Sequence, residues 1–269
     1  MKVDTVIICA GGYGTRFLPF TKSISKELLP IGGVPAIQIV VEECIKAGFK
    51  KIIIVVPKNT NNIQAHFQRN EQLEEYLKIK NKDRELNILK SIPDYSKLIF
   101  VEEQDDLEYG NLAPILSAQE HLSSEYIAIA FSDDVIINGS GIKEIKDLFE
   151  ENELDGIVAS KRLDRAEIVN FGNIISSDEQ ILKKIIQKPK LDEIVSDFAL
   201  ISRLIIPTSI LKNYHFYNKE PDLGSTISEH CEEKKFYVKE LEGEWLNLDT
   251  PESYYRANET YYRIKGVIT

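Results

Sequence analysis

The first half of the chain alternates short, wholly apolar runs with stretches in which apolar residues recur every three or four positions. Thr5–Cys9 is β-rich, continuously apolar and runs straight into glycines, the pattern of a strand buried in a parallel sheet. Pro35 then opens a helix whose apolar face carries Ile37, Val40, Val41, Cys44 and Ile45, and which stops at Gly48. Lys51–Val56 reads as a second buried strand. Residues 61–67 and 71–79 predict helices joined by a polar break, and 80–89 an exposed, charged helical excursion. A third strand is predicted over 98–101 and a helix over 113–121. Tyr126–Phe131 is a fourth, wholly apolar strand ending at Ser132, Asp133 and Asp134. A helix over 141–151 and a strand over 156–160 continue the alternation.

After Asp164 the rhythm changes. Residues 171–175 and 180–186 read as the two arms of a hairpin, and 198–206 as a further strand followed by a short helix from Pro207 and Thr208. Residues 236–241 and 245–248 are strand-like, and Pro251 opens a closing helix that runs to about Arg263. Strands alternating with helices at this spacing imply an α/β fold: a Rossmann-like mixed, mostly parallel sheet with helices on both faces. A small C-terminal sheet and the closing helix complete it. No repeat or linker-like change of composition interrupts the 269 residues, so one domain is expected, with a first half over 1–164 and a second over 165–269. In such sheets ligands bind beyond the carboxyl ends of the strands. Three polar clusters fall there, at 10–16, 102–111 and 132–134.

Composition narrows the function. The formal net charge of −10 disfavours a broad nucleic-acid footprint but leaves room for a small phosphorylated ligand where positive charge is concentrated. No apolar stretch approaches the ~20 residues of a membrane span. The start of the chain reads as a strand and not as a signal peptide. Three widely spaced cysteines, Cys9, Cys44 and Cys231, without a CxxC pair, argue against a disulfide framework or a zinc site. The expectation is a cytoplasmic protein with no nucleic-acid or membrane partner. His66, His121, His215 and His230 stand in no catalytic-looking context.

The candidate chemistry begins after the first strand, at Ala10-Gly11-Gly12-Tyr13-Gly14-Thr15-Arg16. Glycines there let backbone N–H groups approach a phosphate or a base. The segment is not a GxxxxGK[ST] loop, and Phe17 stands where the dinucleotide fingerprint needs its third glycine, which sets a nicotinamide-dependent dehydrogenase aside. By itself a GGxG loop is also what an ordinary tight turn uses. What adds to it is Arg16, Lys22 and Lys26 within eleven residues, interleaved with Pro19 and followed by Pro30: three cations on an ordered loop of an acidic chain.

AGGYGTRFLPFTKSISKELLPIGGVPAIQ resembles the sugar-1-phosphate nucleotidylyltransferase signature GxGTRxxPxTxxxPKxxxP. The TK…KELLP wording and the continuation VVEECIKAGFKKIIIVV are most similar to bacterial UTP–glucose-1-phosphate uridylyltransferases. The resemblance implies an enzyme that joins a nucleoside triphosphate, UTP first among the candidates, to a sugar 1-phosphate, glucose 1-phosphate first, with Mg²⁺ as cofactor. It also implies a homodimer or homotetramer. It assigns nucleotide binding to Ala10, Gly11, Gly12, Gly14 and Thr15, and phosphate contacts to Arg16 and Lys26. Gln104, with Gly110 and Asn111, would read the base. Asp133 matches the family's metal-binding Asp; a hard oxygen ligand beside the α-phosphate is what in-line displacement asks for. Gly172 would contact the sugar, and Lys188, in Gln187-Lys188-Pro189, would bind the sugar phosphate.

Three departures concern the other side of the cleft. Gln187 replaces the family's Glu, and Asp197 its sugar-contacting Asn. Asn247, in Trp245-Leu246-Asn247-Leu248-Asp249-Thr250-Pro251, replaces the second metal-binding Asp, while Asp249 stands in place of a glycine. Asn offers a metal only a neutral carbonyl, and the changes at 187 and 197 alter the charge facing the sugar. The acceptor sugar therefore stays open, as does the base. A second reading is a degenerate homologue that binds nucleotide or nucleotide sugar without turnover, as a sensor or partner subunit.

Overall fold

The computed structural model describes residues 1–104, 107, 110–212 and 221–267; His215 and part of the 102–111 cluster lie outside them. The strands are β1 (Thr5–Cys9), β2 (Pro30–Ile31), β3 (Val34–Pro35), β4 (Lys51–Val56), β5 (Leu98–Glu102), β6 (Tyr126–Phe131) and β7 (Asp134–Ile137). They continue with β8 (Gly156–Arg162), β9 (Gly172–Ser176), β10 (Leu182–Gln187), β11 (Phe198–Pro207), β12 (Phe236–Glu240) and β13 (Glu244–Asn247). The helices of the first half are α1 (Ala36–Lys46), α2 (Asn62–Phe67), α3 (Glu71–Ile79), α4 (Asp83–Ser91), α5 (Ala113–Ser117) and α6 (Ile142–Glu151). Those of the second are α7 (Arg165–Ile168), α8 (Ser209–Lys212), α9 (Leu223–Glu229) and α10 (Pro251–Ile264).

A nine-stranded sheet runs in the order β10-β9-β11-β6-β1-β4-β5, with β8 and then β12 branching from β11. The half β6-β1-β4-β5 is parallel throughout. Period-two alternation along these strands feeds two cores. Val6, Ile8, Ile52, Ile54, Ala128 and Ala130 face the layer of α1 and α6, against Val40, Val41, Ile145 and Phe149. Ile7, Cys9, Ile53, Val55, Ile127 and Ile129 face the opposite layer, against Ile115 and Ile227. Every residue of β1 is buried, which is why the strand shows no polar alternation. All three cysteines are free; Cys9 and Cys44 are core residues.

The antiparallel strand β11 joins the two halves. It pairs with β6 on one edge, with β8 on the other, and touches β9 at Ala199. The predicted hairpin forms as β9–β10. The small sheet is built differently from its sequence pattern. β12 leaves it to run parallel beside β8, and β13 pairs instead with β7, a strand formed directly after Ser132 and Asp133. Among the described residues no helix is long and apolar enough to cross a membrane.

Candidate active site

The segments that follow β1, β5, β6, β8, β10 and β13, at the carboxyl ends of these strands, line one cleft of about 870 Å³. Gly11, Arg16, Lys26, Asp133, Lys188 and Asp249 are among its walls. The glycine loop starts where the Ala10 N–H donates to Val55 O at 2.8 Å, extending the sheet by one residue. Gly14, at φ +57°, turns the chain into a single 3₁₀ turn over Thr15–Phe17. The Thr21 hydroxyl then closes back on Gly14 O at 2.8 Å, so the loop folds on itself and delivers Lys26 to the cleft.

Lys26 is the centre of the charge arrangement. Its Nζ lies 2.5 Å from Asp133 Oδ2 and 3.6 Å from Asp249 Oδ1. Arg16 Nη1 stands 3.8 Å from the other Asp249 oxygen. Burial works against the Lys26 charge, but Asp133, Glu27 and Asp249 hold its ammonium well above the usual lysine range. Burial likewise opposes ionisation of Asp133, and Lys26 outweighs it, holding that carboxyl low. The Asp249 carboxyl is raised by burial and by Asp133, against Lys26 and Arg16. Neighbouring Asp134 has another function. It accepts from Ser202 N at 3.3 Å, from the Ser202 hydroxyl and, on Oδ1, from Asn247 Nδ2 at 3.1 Å. Burial and the Asp133 charge push it up to about 6.

The structure sorts the other expected site residues. Gly110 and Asn111 line the cleft, but the Asn111 carboxamide is already engaged: Nδ2 donates to Asp222 Oδ1 at 2.9 Å and Oδ1 accepts from Leu223 N at 2.6 Å. Gln104 is exposed and off the wall, its N–H on Ser117 Oγ at 3.0 Å; the cleft-facing residue is Glu103. A Cβ on Gly11 would come within 2.5 Å of Glu103 Oε2, so glycine is what lets that carboxylate lie across the loop. Ala10 is buried beneath the loop, and Gly12 at φ +138° shapes it.

Across the cleft, Lys188 has φ +43°, a left-handed conformation costly for a side chain, and its N–H is tied to Phe171 O at 2.9 Å. Gln187 and Gly172 sit behind this wall. The Gln187 carboxamide lies against Gly172 and Gly224, whose added Cβ atoms would meet it at 3.2 and 2.4 Å. Asp197 does not reach the cleft at all. It is exposed and pairs with Arg162 at 2.5 Å, whose guanidinium also stacks on Phe198.

Sequence reading missed two contributors besides Glu103. One is α10, which presents Glu252, Arg256 and Thr260 to the cleft at four-residue spacing while Tyr254 and Asn258 bond to Pro30 O behind it. The spacing was visible, but not which face would be used. The other is the buried pair Glu43–Arg203, for which a lone Arg in an apolar strand was the only signal.

A divalent metal fits this donor set in one particular way. Among the described residues no group of three or more His, Cys, Asp or Glu side chains is arranged to hold a metal. Mg²⁺ needs less, typically one or two carboxylates plus substrate phosphate oxygens. Asp133 meets that need. Asn247, the other expected ligand, has its carbonyl oxygen on the Asp249 N–H at 3.1 Å.

The model of the nucleotidyl transferase family matches residues 5–263. The chain belongs to that family. It is 28% identical over 251 residues to a UTP–glucose-1-phosphate uridylyltransferase of Bacillus subtilis, covering 90% of this chain and 84% of the relative. To a UTP–glucose-1-phosphate uridylyltransferase of Staphylococcus saprophyticus it is 31% identical, over 78% of this chain and 74% of the other. Among solved structures, apo UDP-glucose pyrophosphorylase superposes with a TM-score of 0.85 at 26% identity, covering 98% of this chain and 99% of that one. A UDP-glucose pyrophosphorylase complexed with UDP-glucose gives 0.81 at 25% identity, with 97% and 99% covered. The glycine loop of this nucleotidyl transferase thus sits in a fold built for nucleotidyl transfer.

Proposed function

We propose that this nucleotidyl transferase makes UDP-glucose and pyrophosphate from UTP and glucose 1-phosphate. The observation that carries the reading is the Lys26 ammonium, held between Asp133 and Asp249 beside Arg16 at the mouth of the glycine loop, with Lys188 on the facing wall. An oxygen of the sugar phosphate bonds to the α-phosphorus of UTP as the bond from that phosphorus to the bridging oxygen breaks, and pyrophosphate leaves in line. The attacking oxygen is already ionised, so no base is required.

Arg16 and Lys26 neutralise the triphosphate, and Lys188 holds the sugar phosphate in line; catalysis rests on position and charge. Asp133, with a second oxygen donor from the turn after β13, would hold Mg²⁺, whose charge neutralisation beside the α-phosphate is the chemistry it supplies when bound. Turnover is favoured over a non-catalytic homologue because Asp249 returns to the site the negative charge that Asn247 lacks.

The test is pyrophosphate release with UTP and glucose 1-phosphate, run beside dTTP, CTP and other sugar 1-phosphates. Lys26→Ala should lower kcat about 10²–10³-fold. Equal rates in wild type and variant would remove Lys26 from the chemistry, and no release with any pair would remove the activity.

A further inference from the structure

Asn247 ends β13, and Asp249 lies two residues further on, in the turn that leads into α10. Asn247 stands opposite Asp134. Both ends of its carboxamide are committed: Nδ2 donates to Asp134 Oδ1 at 3.1 Å and Oδ1 accepts the Asp249 N–H at 3.1 Å. The backbone closes the same turn from the other side, with Leu248 N donating to Asp133 O at 2.9 Å. These bonds fix residue 249 immediately before the N-cap of α10, where Thr250 and Ser253 form a capping box. The Asp249 side chain is therefore not a free surface carboxylate. It projects into the cleft and shares the Lys26 ammonium with Asp133.

We infer that Asp249, not Asn247, is the second protein ligand of the divalent cation, and that Asn247 is a positioning residue that holds the Asp249 turn. The inference rests on the functional reading above. Without substrate, Lys26 and Arg16 balance the two carboxylates. Bound nucleotide phosphates compete for both cations, leaving Asp133 and Asp249 facing each other and the phosphate oxygens. That is an all-oxygen, negatively charged environment suited to Mg²⁺ or Mn²⁺ and unfavourable to leave without one. An Asn ligand at 247 would have to share its oxygen with a backbone donor and would bring no charge.

The experiment is a Mn²⁺ titration followed by electron paramagnetic resonance on full-length protein saturated with UDP-glucose, comparing wild type, Asp249→Asn and Asp249→Glu. Asp249→Asn should weaken Mn²⁺ about tenfold or more, and Asp249→Glu should keep most of the affinity, because it restores the carboxylate one methylene away. Thermal unfolding of each variant, and UDP-glucose binding in EDTA, show that fold and pocket persist. Asp249→Asn binding Mn²⁺ within about twofold of wild type would overturn the inference, as would equal losses in Asn and Glu variants. Wild-type protein that binds no UDP-glucose either in EDTA or with Mn²⁺ present would instead sink the functional reading, and this inference with it.

Discussion

Arg203, on β11, and Glu43, on α1, meet as a bidentate ion pair at 2.9 and 2.8 Å, with the arginine side chain fully buried. The guanidinium goes on to hold Asp134 O at 2.8 Å and Phe131 O at 3.4 Å, the carbonyls on either side of Ser132 and Asp133. Glu43 Oε1 also accepts the Ile142 N–H at 2.6 Å, at the start of α6. One buried pair thus ties two helices and the antiparallel strand to the turn that carries Asp133.

Removing one member strands the other charge in the core. Arg203→Met should cost about 3–5 kcal/mol of stability in urea denaturation, and a Glu43→Leu/Arg203→Met double variant should recover much of it. A loss below about 1 kcal/mol in the single variant would show that the pair does not hold this part of the fold.

Glu27 gives a pH signature. Its side chain is buried, Oε2 has no hydrogen-bond partner, and burial pushes the carboxyl from 4.5 up to about 8 against the pull of Lys26. The folded state therefore binds more protons than the unfolded one between those values, and stability falls as pH rises through that window. Glu27→Gln has no such proton to lose. Its Tm relative to wild type should climb from pH 5 to pH 8 and then level off; parallel Tm curves would contradict the assignment.

Gly32 tests the docking of α10. At φ +58°, a Cβ there would lie 2.0 Å from the Tyr261 ring. Gly32→Ala should destabilise by about 1–3 kcal/mol in thermal or urea unfolding, as overpacking does. Adding Tyr261→Ala should return the part due to the clash. An unchanged midpoint in Gly32→Ala would mean that α10 is not seated on this turn.

Asp197 and Lys188 should separate cleanly in steady-state kinetics. An exposed ion pair contributes only about 0.2–1 kcal/mol, so Asp197→Asn should change kcat/KM for glucose 1-phosphate by less than about fivefold. Lys188→Ala removes a cation from the cleft wall and should raise KM for the sugar phosphate by about tenfold or more, a charged hydrogen bond being worth about 1.5–3 kcal/mol. A large effect at Asp197 would place it at the sugar site.

The parallel half of the sheet was legible residue by residue, because strands buried on both faces have no choice but to be apolar throughout, as Thr5–Cys9 and Tyr126–Phe131 are. The glycine loop with Arg16 and Lys26, and Asp133 at the end of a strand, were legible for a related reason: local chain geometry and the rule that sites open at strand ends bring them together. Pairing between distant segments was not legible. The pattern at 245–248 marked a strand but not its partner, so neither β7 nor the Asn247–Asp134 contact could be foreseen. For the same reason the sequence does not show that Glu103 and the residues of α10 line the cleft while Gln104 and Asp197 do not. Adjacent strand-end positions point in opposite directions, and a charged side chain faces whichever counter-charge the tertiary fold brings near, as Arg162 is brought to Asp197 and Lys26 to Asp249. Sequence by itself determined the family, the glycine loop and the main parallel strands. Only the tertiary structure decided which carboxylates share the cleft, because charges far apart in the chain acquire their partners when the strands pair.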